Sequence, residues 1–274
     1  MGHSLRYAVN CSILFTELPL LERAGAAARA GFRAVEFWWP FDTSVPGDEQ
    51  VDEFVASVRD AGVAVVGLNF AAGDMPAGDR GLTSWVGREQ EFQDSTAVTV
   101  GIAEQLGCPQ FNVLYGNRQP DSTPEQQDEL AVANYAFAAE AVARIGGRIL
   151  VEPVSGIDSY PLKTAADVLA VIDRVQQFSG AENIGLLADL YHLAVNGDDV
   201  DKVIAEHTGR IAHVQLADSP GRGEPGTGKL PLERQVEDLE ARGYRGWVAL
   251  EYKPSSTTGE SLERLPRERR ALGA

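Results

Sequence analysis

Residues Ile211 to Gly228 read IAHVQLADSPGRGEPGTG, and the rest of the chain is interpreted around this stretch. It begins as a short apolar run, which is typical of a buried β-strand, and ends in a loop rich in Gly and Pro. The polar side chains that could bind a ligand come toward the end of the run or just after it: His213, Gln215 and Asp218. They would therefore lie at the carboxyl end of the predicted strand. In a barrel of parallel strands and helices, that end carries the active site.

The same rhythm extends along the chain, in which short β-rich runs alternate with longer amphipathic stretches about eight times. The predicted strands are Arg6–Asn10, Ala34–Phe37, Ala64–Phe70, Phe111–Leu114, Arg148–Glu152, Asn183–Asp189, Ile211–Leu216 and Trp247–Glu251. The predicted helices are Pro19–Ala30, Asp48–Ala61, Gly87–Leu106, Thr123–Ile145, Thr164–Phe178, Asp198–His207 and Leu232–Arg242. Eight such units in about 250 residues indicate an α/β protein with a single (β/α)8 TIM barrel over residues 1–274. A doubly wound sheet is the alternative, and it usually has fewer units in this length.

Composition excludes several classes of protein. The net charge of −16 argues against nucleic acid as a partner, and the basic cluster RLPRERR is interpreted as a solvated tail. The sequence contains no apolar run of about 20 residues, so we expect no membrane association. Two cysteines are too few for a disulfide framework and are interpreted as small buried residues. The sequence therefore predicts a soluble, cytoplasmic protein.

The chemistry is predicted at the ends of the last four strands. These strands end in Glu152, Asp189, Gln215 and Glu251, whose side chains would face one opening. Three carboxylates that share a site repel one another, and a divalent cation relieves this repulsion. Carboxylate and amide oxygens suit Mg²⁺ or Mn²⁺ best, and Co²⁺ or Zn²⁺ stay open as alternatives. A single strand-end acid would more often cap a helix or face solvent, but four in succession favour a metal site.

Other side chains are candidates for substrate binding. Arg222 lies in the Gly-rich loop, where its guanidinium can pair with a substrate carboxylate, and Glu224 can orient it. Lys253 would point the same way as Glu251 if the last strand continued. His192 follows Asp189 closely and can bind a metal or a substrate oxygen.

The ends of the second and third predicted strands add two more candidates. Glu36 and Asn69 either contact substrate or hydrogen-bond to residues that do. His213 alternates with Gln215 and can face the barrel interior. The aromatic run Phe37–Phe41 continues past its strand, so we interpret it as a pocket wall or a contact of a homo-oligomer.

The stretch HVQLADSPGRGEPGTG resembles the seventh strand and following loop of hydroxypyruvate isomerases, which are xylose-isomerase-like TIM barrels. In that family, the positions of Glu152, Asp189, Gln215 and Glu251 are metal ligands, and the two glutamates also act as acid and base. The run Asp189-Leu190-Tyr191-His192 matches the family's DxxH pattern, which implies substrate binding by His192. Many related sugar epimerases have His at the position of Gln215, whereas hydroxypyruvate isomerases have Gln.

The resemblance implies interconversion of hydroxypyruvate and tartronate semialdehyde through an enediolate, so the expected partner is a small anionic 2-oxo or hydroxy acid. A 2-oxo-tetronate isomerase and a ketose 3-epimerase are the nearest alternatives. A metal-dependent phosphodiesterase is disfavoured, because it would need more than the four histidines present and a basic surface. The intact pair of glutamates argues against a non-catalytic metabolite-binding barrel. The GxGxxG spelling of residues 221–226 does not predict nucleotide binding, because Pro225 interrupts it.

Overall fold

The computed structural model describes residues 2–271. Eight parallel strands pair in chain order, and the last pairs with the first to close the barrel. The strands are β1 Arg6–Asn10, β2 Ala34–Phe37, β3 Ala64–Asn69, β4 Gln110–Asn112, β5 Arg148–Val151, β6 Ile184–Asp189, β7 Ile211–Leu216 and β8 Trp247–Leu250. This closed barrel confirms the predicted fold class.

Helices surround the barrel and return the chain from each strand to the next. They are α1 Leu20–Arg29, α2 Asp48–Ala61, α3 Glu89–Leu106, α4 Pro124–Ala143, α5 Ala165–Ser179, α6 Leu190–Val195, α7 Val200–His207, α8 Leu232–Ala241, α9 Thr258–Ser261 and α10 Arg267–Arg270, with 3-10 turns at Thr208–Arg210 and Leu262–Arg264. Local chemistry sets several of their ends. The hydroxyl of Thr123 accepts from the backbone N–H of Gln126 at the start of α4, and Gly62 ends α2 in the left-handed conformation.

The strand register positions the site, because it brings polar side chains of neighbouring strands to one level. Asn10 pairs with Glu36, Asn69 with Asn112, and Asp189 with Gln215. All of these pairs lie at the carboxyl ends of their strands, where the following loops gather. The apolar residues of the strands and the inner faces of the helices form the core below this level.

Two expectations from the sequence need correction. RLPRERR is not a solvated tail, because it contains the helix α10, which packs against β1. Its side chains hold backbone carbonyls: Arg270 donates to Ala30 O at 2.9 Å, and Arg269 donates to His3 O at 2.6 Å. Phe37 is not part of a pocket wall, since it is buried in the core edge-on to Phe54.

Other expectations agree with the structure. Cys11 and Cys108 are free and buried, and burial raises the pKa of both thiols, that of Cys108 to about 12. Within residues 2–271, no helix has the length and apolar character needed to cross a membrane.

Candidate active site at the carboxyl ends of the strands

Every strand of the barrel delivers one polar side chain to the carboxyl-end opening. We call these eight side chains the polar ring: Asn10, Glu36, Asn69, Asn112, Glu152, Asp189, Gln215 and Glu251. All are buried, and the most accessible of them, Asn69, is only 7% exposed. Burial of so many polar groups is costly unless they bond to one another or to a ligand, so the ring indicates a site.

Two of the three predicted acids, Glu152 and Asp189, lie close together in this ring. Ligand atoms of Glu152, Asp189 and His192 lie within 4.8 Å of one another. Glu251 lies next to Arg222, whose guanidinium bonds the Glu251 carboxylate and also lies 3.6 Å from Asp189 Oδ2. The register places Gln215 level with Asp189. The four predicted metal ligands therefore share one end of the barrel and neighbouring strands.

The donor set fits a hard divalent cation. Asp189 Oδ2 and Gln215 Oε1 are buried and have no hydrogen-bond partner within residues 2–271. The other carboxylate oxygen of Asp189 caps helix α6, where it accepts from the backbone N–H groups of Tyr191 and His192 at 2.8 and 3.1 Å. A buried carboxylate oxygen beside a buried amide oxygen, both lacking donors, provides the oxygen ligands that Mg²⁺ and Mn²⁺ prefer.

The charges of the site are poorly balanced by the protein alone. Burial, together with the neighbouring Asp189 carboxylate, raises the pKa of Glu152 to about 8, and burial also raises the pKa of Glu251. Burial opposes the charge of Arg222, but Glu251 and Asp189 outweigh it and raise the pKa of that guanidinium. The raised pKa values mean that ionising Glu152 and Glu251 beside Asp189 costs free energy despite the charge of Arg222, and a bound cation would offset this cost.

His192 is a neutral hydrogen-bond donor at this position. Burial lowers its pKa to about 4. Its Nδ1 accepts from the backbone N–H of Ser155 at 3.0 Å, so the proton of the neutral ring lies on Nε2. Nε2 lies 3.7 Å from Asp189 Oδ2 and 3.9 Å from Glu152 Oε1. The tautomer therefore directs an N–H group, rather than a lone pair, toward the carboxylates.

The loop after β7 is built to present Arg222. Asp218 is fully buried, and its carboxylate accepts from the backbone N–H groups of Gly226 at 2.9 Å and Leu230 at 3.0 Å. Arg222 adopts the left-handed conformation with φ 58°, which directs it back toward the barrel mouth. Glu224 is not exposed, since its carboxylate accepts from the N–H and hydroxyl of Ser255 and so ties this loop to the segment after β8.

A cavity of about 1170 Å³ opens at this end of the barrel, and three members of the polar ring, Asn69, Glu152 and Glu251, line it. Its lining includes the predicted residues Asn69, Glu152, His192, Arg222 and Glu251. The aromatic side chains Trp38, Trp39 and Phe41 also line it, which agrees with the pocket-wall interpretation of that run for these residues.

A second arginine faces the same cavity. Arg80 lies in the loop between β3 and α3 and donates to the backbone carbonyls of Met75 and Asp79, at 3.0 and 2.6 Å. Burial and then the charge of Arg222 lower the pKa of Arg80. Among the residues that the structure describes, no carboxylate forms an ion pair with it. Two guanidinium groups that repel each other across a cavity favour the binding of an anion between them.

Lys253 and Glu36 do not line the cavity. β8 ends at Leu250, so Lys253 does not continue the strand; its side chain is exposed, and its backbone N–H donates to Arg222 O at 2.7 Å. Glu36 belongs to the polar ring but does not line the cavity, because its carboxylate is engaged by Asn10, Gln215 and His213. His213 does face the interior of the barrel, where it is fully buried.

Sequence reasoning missed three residues of the site. Asn10 and Asn112 are the last residues of β1 and β4. The rule that found Glu152 and Glu251, a polar residue at the carboxyl end of a strand, would have found these two as well; we call it the strand-end rule. Asn112 donates to Glu152 at 2.6 Å, and Asn10 donates to Glu251 at 2.8 Å. Arg80 lies in a long loop without periodicity, where sequence carries no signal for its position.

Comparison with known proteins places this architecture in a family. The family model described as "Xylose isomerase-like TIM barrel" matches residues 24–268. The chain belongs to the xylose isomerase-like TIM barrel family. This membership confirms that the chain is a xylose-isomerase-like TIM barrel, as the resemblance in the sequence implies.

Three similar curated proteins are named as isomerases, which confirms the prediction of an isomerase of this superfamily. A putative hydroxypyruvate isomerase of Streptomyces coelicolor is 48% identical, with 97% of each chain covered. Hydroxypyruvate isomerase of Escherichia coli is 34% identical, with 94% of this chain and 97% of the relative covered. A 2-oxo-tetronate isomerase of Cupriavidus necator is 32% identical, with 94% and 96% covered.

Among solved structures, one described as an AP endonuclease, family 2, from Brucella melitensis has a TM-score of 0.85 and 32% identity, covering 95% of this chain and 97% of that one. A D-allulose 3-epimerase from Methylomonas sp. has a TM-score of 0.73 at 19% identity, covering 98% of this chain and 94% of that one, and shows the shared fold.

Proposed function

We propose that this protein is a divalent-metal-dependent isomerase that interconverts hydroxypyruvate and tartronate semialdehyde. The observation that carries the proposal is a buried glutamate pair, Glu152 and Glu251, in the wall of a cavity that Arg222 and Arg80 also line. Buried carboxylates with raised pKa values are suited to move protons, and the arginines are suited to hold a small carboxylic acid. The relatives named hydroxypyruvate isomerase support the same assignment.

The reaction moves one hydrogen between neighbouring carbons. One glutamate takes a proton from C3, so the electron pair of that C–H bond forms the C2–C3 double bond of an enediolate. The other glutamate returns a proton to C2, and the hydroxyl proton passes from O3 to O2. A carboxylate is ordinarily a weak base, and burial of Glu152 favours its uptake of a proton, because burial raises the pKa of that carboxyl group.

Asp189, Gln215, Glu152 and Glu251 would hold the cation, with Mg²⁺ or Mn²⁺ favoured by the oxygen ligands and Co²⁺ or Zn²⁺ as alternatives. When bound, the cation supplies Lewis-acid polarisation of the substrate carbonyl. His192 would donate its Nε2–H to a substrate oxygen, because Ser155 fixes the proton on that nitrogen. Asn69, which lines the same cavity, would hydrogen-bond the substrate from the β3 side.

Arg222 and Arg80 would bind the substrate carboxylate. Arg222 lies 3.6 Å from Asp189 and bonds Glu251, so a carboxylate bound to it would be held next to the acid–base pair. This arrangement favours an anionic acid over an uncharged ketose. It also offsets the overall charge of −16, which would otherwise repel such a substrate.

A 2-oxo-tetronate isomerase is the second candidate. Relatives of 32% and 30% identity carry that name, and a cavity of about 1170 Å³ has room for a four-carbon acid. Both candidates use the same proton transfer and the same arginines. The substrate with the higher kcat/KM decides between them.

The test is a substrate panel on metal-stripped protein restored with Mn²⁺ or Mg²⁺. Hydroxypyruvate, 2-oxo-tetronate and fructose are offered in turn in deuterated water. We expect turnover of an acid with solvent deuterium on the new C–H bond, because the glutamates exchange their protons with solvent. Product without deuterium would indicate a hydride shift instead, and preference for fructose would contradict the carboxylate site.

Arg80 provides a separate prediction. Replacing it by Met keeps most of the side-chain volume but removes the charge, so we expect KM for the acid substrate to rise about tenfold, equivalent to about 1.4 kcal/mol of a charged hydrogen bond. We expect kcat to change little, because Arg80 bonds the backbone carbonyls of Met75 and Asp79 and neither of the two glutamates. Arg144→Met removes an exposed arginine and is the matched control. An unchanged KM for Arg80→Met would remove Arg80 from the substrate site.

The proposal includes a cytoplasmic location, which the sparse use of cysteine supports. A homo-oligomer remains a prediction, with the exposed part of the aromatic run as its contact. Light scattering of the purified protein measures it directly.

A further inference from the structure

Glu36 is buried at the centre of a closed set of hydrogen bonds. Its carboxylate accepts from Asn10 Nδ2 at 3.0 Å, from Gln215 Nε2 at 2.7 Å and from His213 Nε2 at 2.7 Å. Its exposed fraction is 3%, and it does not line the cavity. With both oxygens engaged by protein donors, this carboxylate has no free face for a substrate.

This arrangement fixes which end of the Gln215 amide points toward the carboxylate. An ionised carboxylate only accepts hydrogen bonds, so Gln215 must turn its NH₂ group toward Glu36. Its carbonyl oxygen is then left facing the other way, buried and without a protein partner, at the level of Asp189. Burial alone would raise the pKa of Glu36, but the imidazole of His213 and the bonds from Gln215 and Asn10 lower it, which is consistent with a charged acceptor.

Asn10 links the Glu36 carboxylate to Glu251, one member of the acid–base pair. The single NH₂ group of Asn10 donates to Glu36 and, at 2.8 Å, to Glu251 Oε2. Asn10 cannot turn over, because its carbonyl oxygen accepts from the backbone N–H of Ser12 at 2.9 Å. Glu36 therefore lies one hydrogen bond from Gln215 and two from Glu251.

We propose that Glu36 is a positioning residue that orients the amide of Gln215 so that its carbonyl oxygen serves as a metal ligand. This inference rests on the proposed function, since it requires the cation at the polar ring. It assigns Glu36 no contact with substrate. It also explains why a neutral Gln can serve among anionic ligands: the buried negative charge behind it prevents the NH₂ group from facing the cation.

The test is Glu36→Gln with Mn²⁺ affinity of the stripped protein measured by titration calorimetry. The new amide brings its own NH₂ group into a set of three donors, so Gln215 is expected to turn its carbonyl toward residue 36. We expect Mn²⁺ affinity to fall about 10- to 100-fold, as for other residues that orient metal ligands. Glu140→Gln makes the same change of carboxylate to amide on the exposed face of helix α4, away from the metal ligands, and it should leave the affinity unchanged.

A compensating double variant distinguishes the loss of Gln215 orientation from a general disturbance of the structure. In Glu36→Gln/Gln215→Glu, residue 215 becomes the acceptor for the new NH₂ group and keeps its second oxygen for the cation. We expect this double variant to recover most of the lost affinity, whereas a merely structural role of Glu36 would show no recovery. If the single variant fails to fold, the double variant alone must bind Mn²⁺ within about tenfold of the parent protein, and weaker binding overturns the proposal.

Gln215→Ala distinguishes the two levels of inference. Loss of affinity in Gln215→Ala, with none in Glu36→Gln, would overturn the role of Glu36 and leave the proposed function standing. Full affinity in Gln215→Ala would mean that Gln215 is not a ligand, and the proposed metal set would fail with it.

Discussion

Glu152→Gln is expected to lower kcat for hydroxypyruvate by about a thousandfold, since general acid–base catalysis contributes roughly 10²- to 10⁴-fold. The amide keeps the size of the side chain and can still accept from Asn112, whose NH₂ group donates to Glu152 at 2.6 Å. It cannot take a proton from carbon, so the chemical step is lost while the local packing is kept. The measurement is steady-state kcat together with exchange of substrate hydrogen with deuterated water.

The control for this variant is Glu140→Gln, which changes a carboxylate that is 75% exposed on helix α4. Mn²⁺ content is measured on both proteins, because Glu152 is also a proposed ligand. At saturating Mn²⁺ the variant should bind metal and yet exchange substrate hydrogen very slowly. A variant that retains the full rate would exclude Glu152 as a proton carrier, and Glu251 would then need another partner.

The sequence predicts the strands of this barrel well because each one is a short apolar run between turn residues. The boundaries of β1, β2 and β7 agree with the prediction at both ends. Helix α6 escaped prediction for a physical reason. It is only six residues long, too short to show a helical period, and it depends on the Asp189 carboxylate as its cap.

The site itself was only partly predictable. The strand-end rule finds residues on parallel strands because their carboxyl ends meet, and this is why Glu152, Asp189 and Glu251 were found together. It does not reveal what each side chain bonds to. Glu36 accepts hydrogen bonds from Asn10, 26 positions earlier in the chain, and from Gln215, 179 positions later. Closure of the barrel brings these partners together. The predicted orientation of Lys253 assumed that the last strand continues to it, but β8 ends three residues earlier, at Leu250.

Removal of the metal is the second large effect. We expect chelation to lower turnover by at least about a thousandfold, since Lewis-acid stabilisation contributes several kcal/mol to such steps. Mn²⁺ or Mg²⁺ should restore the rate, and Asp189→Asn should resist restoration because it weakens a buried oxygen ligand. The measurement is activity against free metal concentration. Full turnover in the presence of excess chelator would contradict a metal-dependent reaction.

Removal of the metal should also change how the Tm of the protein depends on pH. Folding raises the pKa of Glu152 from 4.5 to about 8, so the folded state binds that proton more tightly than the unfolded chain does. The stabilisation from this proton is complete below the unfolded value and is lost as pH rises through the folded value. The Tm of chelated protein should therefore fall between about pH 5 and pH 8. Because a cation competes with the proton for the same oxygens, saturating Mn²⁺ should reduce this fall, and Glu152→Gln should reduce it without metal. Equal pH slopes in all three samples would show that the charge of Glu152 is balanced within the protein, and the electrostatic reason for a cation at this site would be lost.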